Sequence, residues 1–434
     1  TLSNTAYERA VDTLFTQLSM FQRQGPAAYK ADLSATRLVC RALENPEQAL
    51  RVVHVAGTNG KGTVCHMVAA GLQLAGFRVG LFTSPHLVDF RERIRINGRC
   101  IPEDAVVAFV DRWQAAQGAW GAPSFFELTF GMALDHFKRE ACDIVVLETG
   151  MGGRLDSTNV VPAPEVACVT NVGLDHQAFL GNDIRSIARE KAGIFKDGVP
   201  VVLGPMRPEA QSEMLAAALR TSSEVHFARD VQDRARAVLG DLASPVDQAN
   251  ASTAVAVMYA LQATDWSLSD ANIAEGVKRH REISGQRGRW QRVDVEGKAL
   301  VVLDGAHNLD GVRAIIAALA VLVKDRGGRL HVVWGTVGDK DPSEVMALLP
   351  AHATYRWCAA DIPRAMAVDR VAAVRPELKG KSHDTPVAAL QAVLHEAQER
   401  DVVWVGGSLF VVGDVLRDAP SVIPGWPSDD GCVT

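Results

Sequence analysis

The sequence predicts an α/β protein: a larger parallel-sheet domain built around a phosphate-binding loop, followed by a smaller Rossmann-like α/β domain. Three observations lead there. Short β-branched runs alternate with longer helical patterns, a glycine-rich loop carrying a lysine follows the first such run, and the alternation breaks near residues 284–289 before restarting. Continuously apolar strands separated by helices imply a parallel sheet covered on both faces.

In chain order, the strands of the first domain are read at Val52–Val55, Val79–Phe82, Ile144–Leu147, Val166–Val169 and Val199–Leu203. A polar helical pattern around Glu275 to Glu282 leads into Ser-Gly-Gln-Arg-Gly-Arg, whose two glycines and two arginines suit a linker. Strands then resume at Leu300–Leu303, Leu330–Trp334 and Val402–Val405. The expected domains are therefore 1–286, with an N-terminal helical segment, and 287–434.

A chain of 434 residues has room for two such units. Its 47% apolar and 22% charged residues argue against disorder and against a disulfide-stapled miniprotein. The net charge, 45 − 51 = −6, comes without a concentrated basic stretch, so neither nucleic acid nor an anionic membrane is an expected partner. The longest apolar run, 314–323, is too short to span a bilayer, and Thr1 to Thr13 lacks a signal-like apolar stretch. Seven scattered cysteines (Cys40, Cys65, Cys100, Cys142, Cys168, Cys358 and Cys432) include no C-x-x-C, which favours a reducing compartment. The expectation is a cytoplasmic monomer.

Chemistry concentrates in the loops after the strands. Gly57-Thr58-Asn59-Gly60-Lys61-Gly62-Thr63 leads from a strand into a helix, where open backbone N–H groups and the positive end of the dipole suit an anion. Lys61 can reach outer phosphates and Thr63 can approach a metal. The loop departs from a plain Walker A: Val55 stands at the expected first glycine, and Gly62 separates Lys61 from Thr63. Ser84, Glu148 and His176 follow three further strands, where ligands of parallel sheets gather, and could together hold Mg²⁺ against ATP phosphates. Alone, Ser84 reads as a turn residue, Glu148 as a solvated carboxylate and His176 as structural. Lys191 reads by default as a cation at a helix C-terminus. Asp304 and His307 are either a cap and a surface residue or groups facing ATP across the interdomain cleft.

Taken in order, G-T-N-G-K-G-T at 57–63, T-S-P-H-L at 83–87, E-T-G-M-G-G-R-L-D-S-T-N at 148–159, L-D-H at 174–176, E-K-A-G-I at 190–194 and D-G-A-H-N at 304–308 resemble the folylpolyglutamate synthetase/dihydrofolate synthase family of the Mur ligase superfamily. The resemblance runs from about residue 20 to about residue 415. It implies a P-loop ATPase domain and a ligase that joins L-glutamate to a pterin-linked carboxylate through an acyl phosphate. It assigns Asn59, Gly60, Lys61, Gly62, Thr63, Asn250, Arg289 and Asp304 to ATP, and Ser84, Glu148 and His176 to magnesium, of which two ions are expected. Lys61, Lys191 and His307 take catalytic roles, with Lys191 matching a lysine that CO₂ carbamylates in the superfamily.

The pterin or folate substrate would meet Asp32, Leu33, Ser124, Phe125, Phe126, Leu155, Asp156 and Ser157. A flat heteroaromatic ring gains stacking on an exposed Phe pair; the alternative is that both rings are core. After Asp32-Leu33, Ser34 and Ala35 replace the expected glycine and leucine. Two other readings compete: a Mur-type ligase acting on a nucleotide-linked peptidoglycan precursor, and a non-catalytic nucleotide-binding protein. No N-K-x-D follows the phosphate loop, which disfavours a GTPase.

Overall fold

The structure, a computed structural model, describes residues 5–19, 32–116, 118–239, 245–339, 341–427 and 431–432. Among the described residues fourteen strands form two sheets. The first contains β1 (Val52–Ala56), β2 (Val79–Phe82), β3 (Ile94–Ile96), β4 (Arg99–Cys100), β5 (Ile144–Glu148), β6 (Val166–Val169), β7 (Val201–Leu203) and β8 (Val225–Phe227) in the order β4-β3-β2-β5-β1-β6-β7-β8. The β2–β3 and β3–β4 pairings are antiparallel, and the remaining pairings of this sheet are parallel. The second contains β9 (Gln291–Val293), β10 (Leu300–Leu303), β11 (Leu330–Trp334), β12 (Thr354–Trp357), β13 (Lys381–Ser382) and β14 (Val402–Gly406) in the order β13-β12-β11-β14-β10-β9, with β9 antiparallel.

Because both faces of each sheet are covered, residues of the central strands β1, β2, β5, β6, β10, β11 and β14 are buried whichever way they point. In β11, Val332 and Trp334 enter one core while Val333 enters the other. In the first domain, helix Lys61–Leu74 is apolar almost all round and lies buried between the sheet and helices Pro245–Gln262 and Asp270–Lys278. Each fully buried Val, Leu or Met there contributes roughly 1.5–3 kcal/mol. The closest helix approach is glycine on glycine: a Cβ on Gly276 would overlap the backbone of Gly71. Gly276→Ala is therefore expected to cost about 1–3 kcal/mol through overpacking, read as a lower denaturation midpoint. An unchanged midpoint would mean that these helices part without penalty.

Two sequence expectations are corrected. Strands β3, β4, β8, β9, β12 and β13 were not anticipated, being short or polar: Lys381–Ser382 is exposed, and Thr354–Trp357 interposes Arg356 between Tyr355 and Trp357. The expectation of reduced thiols fails at one pair, because Cys100 on β4 and Cys432 form a disulfide with a Cα–Cα separation of 5.3 Å. The fold brings them together by seating residue 431 on the hairpin, where Arg95 Nη2 donates to the Gly431 carbonyl at 2.8 Å. Among the described residues no helix is long and apolar enough to cross a membrane.

Candidate active site

β1, at the centre of the first sheet, delivers the phosphate loop to the point where strand order reverses between β5 and β6. Gly60 has φ +79° and caps helix Lys61–Leu74, and a Cβ there would strike the Asn250 amide, so glycine is required both for the turn and for this contact. The loop is braced from the β6 exit: Asn171 Oδ1 accepts from Asn59 N at 2.9 Å, and Thr170 Oγ1 donates to Asn59 O at 2.7 Å. Lys61 Nζ curls back onto Gly57 O at 3.2 Å and Thr58 O at 3.4 Å. The first N–H groups of the helix have no intrahelical partner, so the loop presents donors and positive charge on a rigid frame.

Glu148 ends β5, buried beside the loop, and its Oε2 accepts from Ser84 N at 2.9 Å. Burial raises its pKa, while Lys61, Arg289 and Arg93 oppose the rise. A Cβ on Gly62 would sit 3.5 Å from Oε2, so that glycine sets how closely the helix start approaches the carboxylate. Among the described residues no three His, Cys, Asp or Glu side chains converge as a metal cage. The donor set nonetheless fits Mg²⁺, which takes one or two protein oxygens and fills its octahedron with phosphate oxygens and water. Glu148 and the Ser84 and Thr63 hydroxyls offer hard oxygens on one cleft wall. His176 lines the same cleft from a left-handed backbone position, φ +51°.

Lys191, on helix Ile184–Ala192, is 3% exposed and donates to Gly57 O at 2.9 Å from beneath the loop. It stands behind the residues that line the cleft. Its pKa falls to about 7, first because burial disfavours the ammonium and then because Lys61 repels it; Asp175 and Asp156 pull the other way. The glycine-rich segment after β5 packs on this helix end, where a Cβ on Gly153 would lie 2.7 Å from the carbonyl oxygens of Glu190 and Lys191.

The second sheet supplies the opposite wall. Asp304, at the end of β10, accepts from Trp290 N at 2.7 Å and Ala306 N at 2.9 Å, so it orders the hinge backbone as well as facing the cleft. Burial raises its pKa and Arg289 opposes that. His307 Nε2 lies 4.0 Å from Asp175 Oδ2. Asn308 exchanges amide hydrogen bonds with Asn59 at 2.9 and 3.1 Å and reaches Asp175 at 3.2 Å, joining the two lobes directly at the phosphate loop. The cleft between the lobes measures about 1320 Å³ and is lined by Lys61, Arg93, Arg207, Arg281, Arg289 and Arg364 among others. That exceeds the roughly 300–1,000 Å³ of an ordinary ligand pocket, and its cations suit several anionic reactants at once.

The proposed pterin residues divide. Asp32, Ser124, Phe125, Phe126, Leu155, Asp156 and Ser157 line the cleft, and Leu33 does not. Of the two readings of Phe125, its packing matches the core one, at 3% exposed against Phe15 and Phe90, although the residue also borders the cleft. Phe126 is half-buried. Ser124 is the N-cap of helix Phe125–Arg139 in a capping box with Glu127, and Asp156 accepts from Met151 N and Thr158 N. These bonds give both polar residues local work.

Sequence reasoning gave no role to Asp175, Asn308 or Arg93. Asp175 and Asn308 lay inside quoted motifs. Arg93 carried no signal: it is buried, donates to His86 Nδ1 at 2.8 Å and has its pKa lowered to about 10 by burial.

Comparison with known proteins places this geometry. The model of a family described as Mur ligase, glutamate ligase domain, matches residues 288–409. The chain is 33% identical over 430 residues to a Haloferax volcanii protein named probable bifunctional folylpolyglutamate synthase/dihydropteroate synthase, covering 94% of this chain but only half of that protein's length. Escherichia coli FolC, solved in complex with DHPP and ADP, superposes with a TM-score of 0.80 at 29% identity, covering 96% of this chain and 98% of that one. A bifunctional folylpolyglutamate synthase/dihydrofolate synthase solved with Mn, AMPPNP and L-glutamate gives 0.74 at 29% identity, covering 90% and 94%. The dihydrofolate synthase/folylpolyglutamate synthase of Escherichia coli K12 is 34% identical over 420 residues, covering 94% of this chain and 96% of that protein. On that similarity the chain belongs to the folylpolyglutamate synthase/dihydrofolate synthase family.

Proposed function

We infer that this protein is an ATP-dependent ligase that activates a pterin-linked carboxylate and joins it to the amine of L-glutamate. The observation that carries the reading is one cleft with a braced phosphate loop on one wall and Asp304, His307 and Arg289 on the other. A carboxylate is a poor electrophile, so its oxygen first attacks the γ-phosphorus of ATP; ADP leaves and an acyl phosphate forms. Glutamate's amine then attacks the acyl carbon, inorganic phosphate leaves, the amine gives up a proton and an amide remains. Such transfers need positioning and charge neutralisation more than a protein nucleophile.

In this reading Asn59 through Thr63, with Asn250, Arg289 and Asp304, hold ATP, and Ser84, Glu148 and His176 hold a divalent ion. That ion would neutralise charge between the phosphates. Lys191 reacts as a neutral amine with CO₂, forming an N–C bond and releasing one proton; the carbamate could pair with Lys61 and help hold a second ion. His307 orients the Asp175 side of the cleft. The division into 1–286 and 287–434 is supported by the family match beginning at 288. Both glutamate additions, onto dihydropteroate and onto a folate already bearing glutamate, belong to the reading, as does a monomer. A cytoplasmic location is weighed against by the Cys100–Cys432 bridge.

The test supplies purified protein with ATP, Mg²⁺ and labelled glutamate, and one of three acceptors: dihydropteroate, tetrahydrofolate or a nucleotide-linked peptide. Label in either pterin product is expected. Label only in the peptide, or in nothing despite ATP binding, overturns the reading.

A further inference from the structure

The hinge between the lobes touches the phosphate loop through two buried polar residues, Gln286 and His280, that lie outside the quoted motifs. Gln286 Nε2 lies 2.8 Å from Thr63 Oγ1, and both residues are buried. On its other side Gln286 faces His280. His280 Nδ1 lies 2.7 Å from the Val277 carbonyl, which can only accept, so the ring proton is on Nδ1 and Nε2 is a bare acceptor. Gln286 Oε1 and His280 Nε2 are then two buried acceptors facing each other, and neither has a donor. Leaving two such groups unmet is costly.

A half-turn of the amide about Cγ–Cδ removes both orphans. The amide nitrogen then donates to His280 Nε2, and the amide oxygen accepts the proton of the Thr63 hydroxyl. Every member acquires one direction: Thr63 donates to Gln286, Gln286 to His280, and His280 to Val277. Next to it, Ser284 Oγ donates to His280 O at 2.5 Å and receives His66 Nδ1 at 2.9 Å, fixing the hinge backbone to the same helix that carries Thr63.

We propose that Gln286 is a positioning residue whose amide oxygen holds the Thr63 proton and thereby turns the Thr63 lone pairs toward the divalent ion beside the ATP phosphates. This rests on the ligase reading and on the Thr63 hydroxyl sharing the cleft wall with Ser84 and Glu148. Its consequence is that the hinge, and not the phosphate loop alone, sets how well the metal is held.

The test titrates Mn²⁺ into the AMPPNP complex of the full chain, followed by paramagnetic relaxation of water protons. Gln286→Leu, and independently Gln286→Met, are expected to weaken Mn²⁺ binding about fivefold, the worth of one neutral hydrogen bond, while metal-free AMPPNP binding does not fall in parallel. Thr63→Val is expected to weaken Mn²⁺ binding, and Gln286→Leu added to it changes nothing further. Wild-type Mn²⁺ affinity in both Gln286 variants, losses that simply add to that of Thr63→Val, or an equal fall in metal-free nucleotide binding overturns the proposal. The ligase reading fails separately, in the glutamate-incorporation assay, which this titration does not consult.

Discussion

Lys61→Ala is expected to lower turnover by about 10²–10³-fold, the usual loss when one preorganised charge is removed from a transition state. The residue sits at the first position of the helix, with its ammonium donating to the loop carbonyls of Gly57 and Thr58. None of its interactions joins the apolar core, so the denaturation midpoint should move little. Charge on the transferring phosphoryl group is spread over its equatorial oxygens, where an ammonium held by a braced loop acts without reorganisation. Steady-state assays at saturating ATP, alongside thermal melts, check this. Unimpaired turnover would remove Lys61 from the reacting centre, and a collapsed melt would make it structural.

Lys191→Ala is expected to cost about 10²-fold in turnover, a loss of about 2.7 kcal/mol, as for an ion-holding group. Small carboxylic acids should restore part of it by standing in for the carbamate. The pH dependence has a definite sign. The amine's pKa is lowered from 10.5 to about 7, so below neutrality the unreactive ammonium dominates and above it the nucleophilic amine does. Wild-type activity, and its response to added bicarbonate, should therefore rise between about pH 6 and 8. If the variant cannot be rescued and native density ends at an unmodified amine, carbamylation is wrong and Lys191 serves as a buried strut under Gly57.

The strands that carry the site were legible because they are central. β1, β2, β5, β6, β10, β11 and β14 are mainly apolar runs, and the ends of β1, β2, β5, β6 and β10 carry the phosphate loop, Ser84, Glu148, His176, Asp304 and His307. The peripheral strands were not, since a two-residue or alternating segment such as Lys381–Ser382 or Ile94–Ile96 has no periodicity of its own and becomes a strand only by pairing. Partnership across the lobes was equally hidden. Nothing in the sequence says that Asn308 meets Asn59 across 249 residues, or that Arg93 turns inward to His86. Phe125 and Phe126 show another limit: an aromatic pair reads alike whether one ring faces a ligand or both face a core, and only the surrounding packing separates a 3% exposed ring from a half-buried one.

The bridge between Cys100 and Cys432 closes a ring that spans 332 residues and contains the entire connection between the lobes. Proteolytic scission of the chain at the Gly285 corner would thus leave one covalent molecule until a reductant opened the bridge.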